Sequence, residues 1–301
     1  MNGFIKSLFF GNYFYGICVV ALSIEASLQQ HVPLNSSLYY LFVFTATVLY
    51  YTHAYISEGI TVSGNKRAIW YYEHTSAIIQ SQIFLSIVFG ITAIVLYIRV
   101  GANLHQLTWF QWCLLGFFPL TAILYYGGLI PGKTKNNLRN QGWLKPFAIG
   151  FVWAGAVTVY PVLAKSIEDN TPYSPGYTQA LLFLKNFMFI TMLCIMFDIK
   201  DYASDHNKKL KTFVVQLGLR KTIFYVLIPL SSIGLGTFIL FAISRDFPLF
   251  RILVNIIPFV LLITVAYSLH QRKSILYYLA IIDGLMLAKS VCGILGMTFI
   301  N

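Results

Sequence analysis

Nine runs of about 20 apolar residues decide what this chain can fold into, because a helix of that length crosses the hydrocarbon core of a bilayer. They lie near 7–27, 37–55, 77–98, 107–127, 145–164, 178–197, 222–243, 249–269 and 275–299. Polar, proline-bearing stretches such as "HVPLNSS", "PGKTKNNLRNQG", "IEDNTPYSPG" and "SRDFP" punctuate them, as breaker residues do between elements. A membrane β-barrel is excluded. Its strands alternate apolar and polar residues, and these runs are too long and too uniform for that. The expectation is an all-α, polytopic membrane protein with nine transmembrane helices in one domain over residues 1–301. Only 10% of the 301 residues are charged, against about 25% in a soluble domain. The first run follows a single lysine and shows no small-residue cleavage site, so it reads as a membrane helix and not a removable signal.

The basic residues give the chain a direction. Counting the N-terminus and the loops after even-numbered runs on one side, fifteen Lys and Arg stand there, and four stand in the loops after odd-numbered runs. Cytoplasmic loops carry the excess of Lys and Arg, so the N-terminus is expected in the cytoplasm and the C-terminus outside. This also accounts for the net charge of +11. The basic residues face lipid headgroups, and no nucleic acid is expected as a partner. A multi-pass protein of the cell (inner) membrane is the corresponding localisation. The cysteines Cys18, Cys113, Cys194 and Cys292 lie inside apolar runs without C-x-x-C spacing, which fits small core residues and no disulfide framework.

Against this apolar background one segment stands out. "FDIKDYASDHNKKLKTFVVQLG" (197–218) holds Asp198, Asp201 and Asp205, three of the ten acids in the chain. On a helix, positions i, i+3 and i+7 share a face. Three carboxylates at a helix C-terminus gain nothing from the dipole there, so a compensating cation is expected. One candidate is Mg²⁺, which takes a few carboxylates together with water and phosphate oxygens. Lys208, Lys209 and Lys211 are the other, and carboxylates for metal beside cations for phosphate suit a diphosphate. The plainer alternative is a solvated loop whose acids and lysines neutralise each other.

This segment resembles the second aspartate-rich motif of the UbiA family of intramembrane prenyltransferases, with Thr212, Leu217 and Gly218 in the places that follow the acids. The nine runs and the charge-derived orientation match that family's layout, and "WLKPFAIGFVWAGAVTVYPVLA" is similar to its fifth helix, with Lys145 at the start. The resemblance implies Mg²⁺-dependent transfer of a prenyl group from an isoprenyl diphosphate to an aromatic or other lipophilic acceptor at the cytoplasmic face. Asp198, Asp201 and Asp205 would be catalytic and hold the metal. Lys66, Arg67, Lys145, Lys208, Lys209 and Lys211 would bind the diphosphate.

The chain departs from the family where a first aspartate motif belongs. "LYYTHAYISEGITVSGNKRAIWYYEH" (49–74) has no aspartate, and Glu58 is its only acid before Glu73. A non-catalytic UbiA-like membrane protein is therefore one alternative. His53 and His74 flank this stretch and read as hydrogen-bonded residues. A second alternative is a small-solute or ion transporter working through intramembrane Asp283 and Lys289, with Lys185 and Glu25, since charges inside a membrane are functional by default.

Overall fold

The computed structural model describes residues 3–57, 66–125, 141–173, 175–207, 209–271 and 273–299, and every regular element among them is a helix. The chain opens with α1 (Gly3–Phe10) and α2 (Tyr13–Gln29), bent by 63° against each other. Asn12 sits at the bend with φ 64°. Then come α3 (Ser37–Ser57), the short α4 (Lys66–Glu73), α5 (Thr75–Leu104) and α6 (Trp109–Tyr125). Next, α7 (Lys145–Ala154) runs through a π-helical turn, Gly155–Val159, into α8 (Tyr160–Glu168).

The long α9 (Tyr177–Asn207) is followed by α10 (Phe213–Leu217) and α11 (Leu219–Thr222). A second π-helical turn, Ile223–Leu227, leads into α12 (Ile228–Ser244), and α13 (Leu249–Ser268) comes next. A third, Tyr278–Ile282, joins α14 (Ile275–Tyr277) to α15 (Gly284–Thr298).

Six of these segments are long and apolar enough to cross a membrane: Thr75–Leu104, Lys145–Glu168, Tyr177–Ala203, Leu219–Ser244, Leu249–Ser268 and Ile275–Thr298. Counting the bent α1–α2 pair as one span gives seven. The run near 37–55 is helical throughout α3 but carries Tyr39, Tyr40, Tyr50, Tyr51 and Tyr55, which lower its apolar character. The run near 107–127 forms the 17-residue apolar α6. The protein is an integral membrane protein by the length and composition of these helices.

Burial separates centre from periphery. In α9, 67% of the apolar window is buried, against 11% in α5. The core lies around α9, with Phe189, Met192, Ile195 and Met196 fully enclosed. Helices α7–α8 run antiparallel to α9 over a short connection. Lys145 meets Asp198 at one end, Gly150 lies against Thr191 in the middle, and Asn186 donates to Thr158 Oγ1 beyond it. A Cβ on Gly150 would collide with the Thr191 hydroxyl, so glycine sets the helix separation there.

Candidate functional site

The site is built where α7 begins. Pro146 occupies the first helical turn of α7, where a missing N–H costs nothing. Just before it, a Cβ on Gly142 would lie 2.6 Å from the backbone carbon of Lys211. This close approach ties the entry of α7 to the turn that follows α9. Lys145 Nζ donates to Asp198 Oδ1 at 2.7 Å. The Asp198 side chain is 0% exposed and that of Lys145 21%. The other oxygen, Asp198 Oδ2, is buried without a hydrogen-bond partner. An orphaned carboxylate oxygen needs an explanation, because desolvating it without compensation is costly.

Asp198 and Lys145 line a cavity of about 130 Å³ together with Asp283, Cys194 and Tyr15. A second cavity, of about 320 Å³, runs between α2, α3, α6 and α7. It exists because Ala46, Ala122, Ala148 and Ala156 face it with methyl groups where larger side chains would fill the space. The two cavities share Tyr51, Ile149 and Trp153. An aromatic cluster thus stands at their junction. Tyr15 stacks on Tyr51 with ring centroids 4.7 Å apart, Trp153 lies 6.3 Å from Tyr15, and Trp153 Nε1 donates to the Tyr51 hydroxyl at 2.6 Å. That bond satisfies the indole N–H and fixes both rings. The result is a small compartment holding charged groups, set against a larger apolar one.

The residues expected from sequence are distributed unevenly about this site. Asp198, Asp201 and Asp205 do not lie in a loop, because α9 continues to Asn207 and carries all three. Asp198 faces the cavity. Asp201 pairs with Lys200 at 3.3 Å, its side chain 42% exposed, and Asp205 is buried. Along a helix these positions are separated by about 4.5 and 6 Å of rise, and only Asp198 borders the cavity. Among the described residues no three His, Cys, Asp or Glu side chains are grouped so as to hold a metal ion. Lys145 already offsets the charge of Asp198 at Oδ1. The three carboxylates as arranged do not fit a Mg²⁺ cage.

Lys145 is at the site, while Lys209 and Lys211 are exposed in the turn after α9. Lys208 and Glu58 lie outside the described residues. Lys66 is exposed. Arg67 has a different task from the one its position suggested, because α4 packs beneath the α1–α2 bend. It is 4% exposed and donates to Phe10 O at 2.8 Å, Asn12 Oδ1 at 2.6 Å and Tyr55 Oη at 2.8 Å. Burial holds the neighbouring Tyr71 phenol above its ordinary range even against the Arg67 guanidinium. Tyr71 therefore stays protonated and donates to Phe10 O at 3.0 Å. His53 is exposed, and His74 bonds Trp70 O at 2.9 Å.

The intramembrane charges also divide. Glu25 receives Lys289 at 2.6 Å and Lys185 at 3.3 Å, while Gln29 bridges Glu25, Lys185 and Asn255. Asp283 stands apart, lining the same cavity as Tyr15, Lys145 and Asp198. Sequence reasoning missed Tyr15, Tyr51 and Trp153, because aromatic residues abound in this chain and no spacing singles these out.

Comparison of the chain with protein-family models, with characterised proteins and with solved structures gives no match.

Proposed function

We propose that this protein binds an isoprenyl diphosphate and transfers its prenyl group to a lipophilic acceptor, as a UbiA-like nine-span enzyme with the Lys145–Asp198 end in the cytoplasm. The observation that carries the reading is the junction itself: a charged cavity shares Tyr51, Ile149 and Trp153 with a dry cavity more than twice its size. That pairing suits a ligand with an anionic head and a long apolar tail.

In this reading Lys145 supplies positive charge to the diphosphate. The allylic C–O bond breaks heterolytically, and its electron pair leaves on the diphosphate. The faces of Tyr15, Tyr51 and Trp153 stabilise the allylic cation, and the dry chamber keeps water from capturing it. The acceptor forms the new bond to the cation and loses a proton, for which Asp283 is the nearby carboxylate. No step is assigned to a metal, since the chain's aspartates do not converge on one.

The test is a titration of purified protein with farnesyl diphosphate, with Mg²⁺ and separately with EDTA, followed by diphosphate release in the presence of a panel of aromatic acceptors. Saturable binding and release support the reading. Trp153→Ala is expected to keep binding and slow release roughly thirtyfold, the equivalent of about 2 kcal/mol for one desolvated cation–π contact. Absence of binding in both arms overturns the reading.

A further inference from the structure

We propose that Tyr160 is the stop that sets how long an apolar tail the protein accepts, with a reserve chamber behind it. This rests on the prenyl diphosphate reading. A third cavity, of about 400 Å³, is lined by Val43 on α3, Pro119 on α6 and Tyr160 and Ile167 on α8. The dry chamber of the site ends at Thr47, Ala122 and Ala156. These positions are neighbours: Val43 is one turn from Thr47, Pro119 three residues from Ala122, and Ala156 one turn from Tyr160.

The two cavities therefore lie end to end along the same helices, yet they share no lining residue. Tyr160 stands at the boundary. Its hydroxyl donates across to Leu115 O on α6 at 2.9 Å. Its ring meets Phe118 edge-on, with centroids 5.6 Å apart. Phe118 is in turn seated against Gly155, where a Cβ would collide with its ring. A bar that is bonded at its tip and braced along its side resists being pushed aside by a tail.

The dimensions give a length. From Ile149, which lines both the charged cavity and the dry one, to Tyr160 is eleven residues, or about 17 Å of helix. An extended covalent chain covers about 3.3–3.6 Å per three bonds, so an isoprene unit of four bonds takes roughly 4.5 Å. The inner chamber then suits about four units. From Tyr160 to Ile167 adds about 10 Å, room for two more.

The experiment measures the affinity of purified protein for isoprenyl diphosphates of two to eight units. In the wild type, affinity should rise to about four units and then level or fall. Tyr160→Ala should move that plateau out by about two units. Tyr160→Phe keeps the ring and should leave the plateau in place. Tyr160→Leu serves if the alanine variant does not fold. Ala156→Leu, which fills the inner end one turn before Tyr160, should shorten the plateau. A wild-type protein that binds no member of the series overturns both this inference and the reading beneath it. Binding with one plateau common to wild type, Tyr160→Ala, Tyr160→Leu and Ala156→Leu overturns the inference alone.

Discussion

Replacing the two partners of the Lys145–Asp198 pair one at a time should give opposite results for ligand binding. The pair is short, 2.7 Å, and asymmetric, since the acid is fully enclosed and the lysine side chain is 21% exposed. Lys145→Ala leaves a carboxylate in the interior without its counter-ion. Breaking a buried pair this way costs about 3–5 kcal/mol of stability. Asp198→Asn leaves an ammonium that can reach water, and costs nearer the 1.5–3 kcal/mol of a lost charged hydrogen bond. Binding follows a different order. An anionic head loses its cation in Lys145→Ala and faces Asp198 alone, which should weaken binding about 10- to 150-fold, the equivalent of 1.5–3 kcal/mol. In Asp198→Asn the cation remains and its competitor is gone, so binding in EDTA should hold or tighten by a few fold. The assay is equilibrium titration with farnesyl diphosphate, beside thermal unfolding of each variant in the same detergent. Equal loss of binding in the two variants would show that the carboxylate supports binding as much as the lysine does, and the electrostatic reasoning would fail.

Two further substitutions test neighbouring parts of the structure. Glu25→Gln strands Lys185 and Lys289, 2% and 3% exposed, so it should destabilise the fold by about 3–5 kcal/mol. At roughly 2–4 °C per kcal/mol for a large domain, the thermal midpoint should drop on the order of 10 °C, and an unchanged midpoint would refute the role given to this triad. Arg67→Met removes the hydrogen bonds to Phe10 O and Asn12 Oδ1 that hold the α1–α2 bend, and the one to Tyr55 on α3. It should lower the midpoint while leaving the dissociation constant for farnesyl diphosphate within about twofold, since Arg67 does not line the charged cavity; a loss of binding without a loss of stability would return Arg67 to the ligand.

The apolar runs are legible because length and composition alone specify a membrane helix; six of them fall on helices long and apolar enough to cross, while the first is broken between α1 and α2. Lys145 and Asp198 were legible as candidates because charge is scarce in this chain. That they form a pair was not legible, since 53 residues separate them and only the antiparallel packing of α7 on α9 brings them together. Helix α9 also outlasts its apolar run. Apolar character stops near Phe197, but the helix runs ten residues further to Asn207, with Asp205 buried against the protein. Arg67 next to Lys66 looked like one basic patch, yet the α1–α2 break turns one inward and leaves the other in solvent. The π-helical turns had no sequence signal at all. Two of them end immediately before Tyr160 and Asp283, and such wide turns re-aim the residues that follow.

The protein carries two buried charge systems, and their contrast indicates which of them waits for a ligand. In the Glu25 triad both carboxylate oxygens are bonded, by Lys289 on one side and by Lys185 and Gln29 on the other. Lys185 also donates to Gln29 Oε1 at 2.9 Å and lies 5.1 Å from the Phe238 ring centroid. Glu25 packs so closely on α15 that a Cβ on Gly293 would collide with it. Such a network is complete, and buried ionic groups of this kind hold helices in one register. At the other system one oxygen of Asp198 has a partner and the other has none, and the pair borders a cavity. Interiors satisfy their polar atoms almost everywhere, so an open valence beside an open space is where a polar group from outside belongs. In the proposed reading Lys145 meets the anionic head of the ligand, and the open Asp198 oxygen takes a hydrogen-bond donor or a cation that arrives with it.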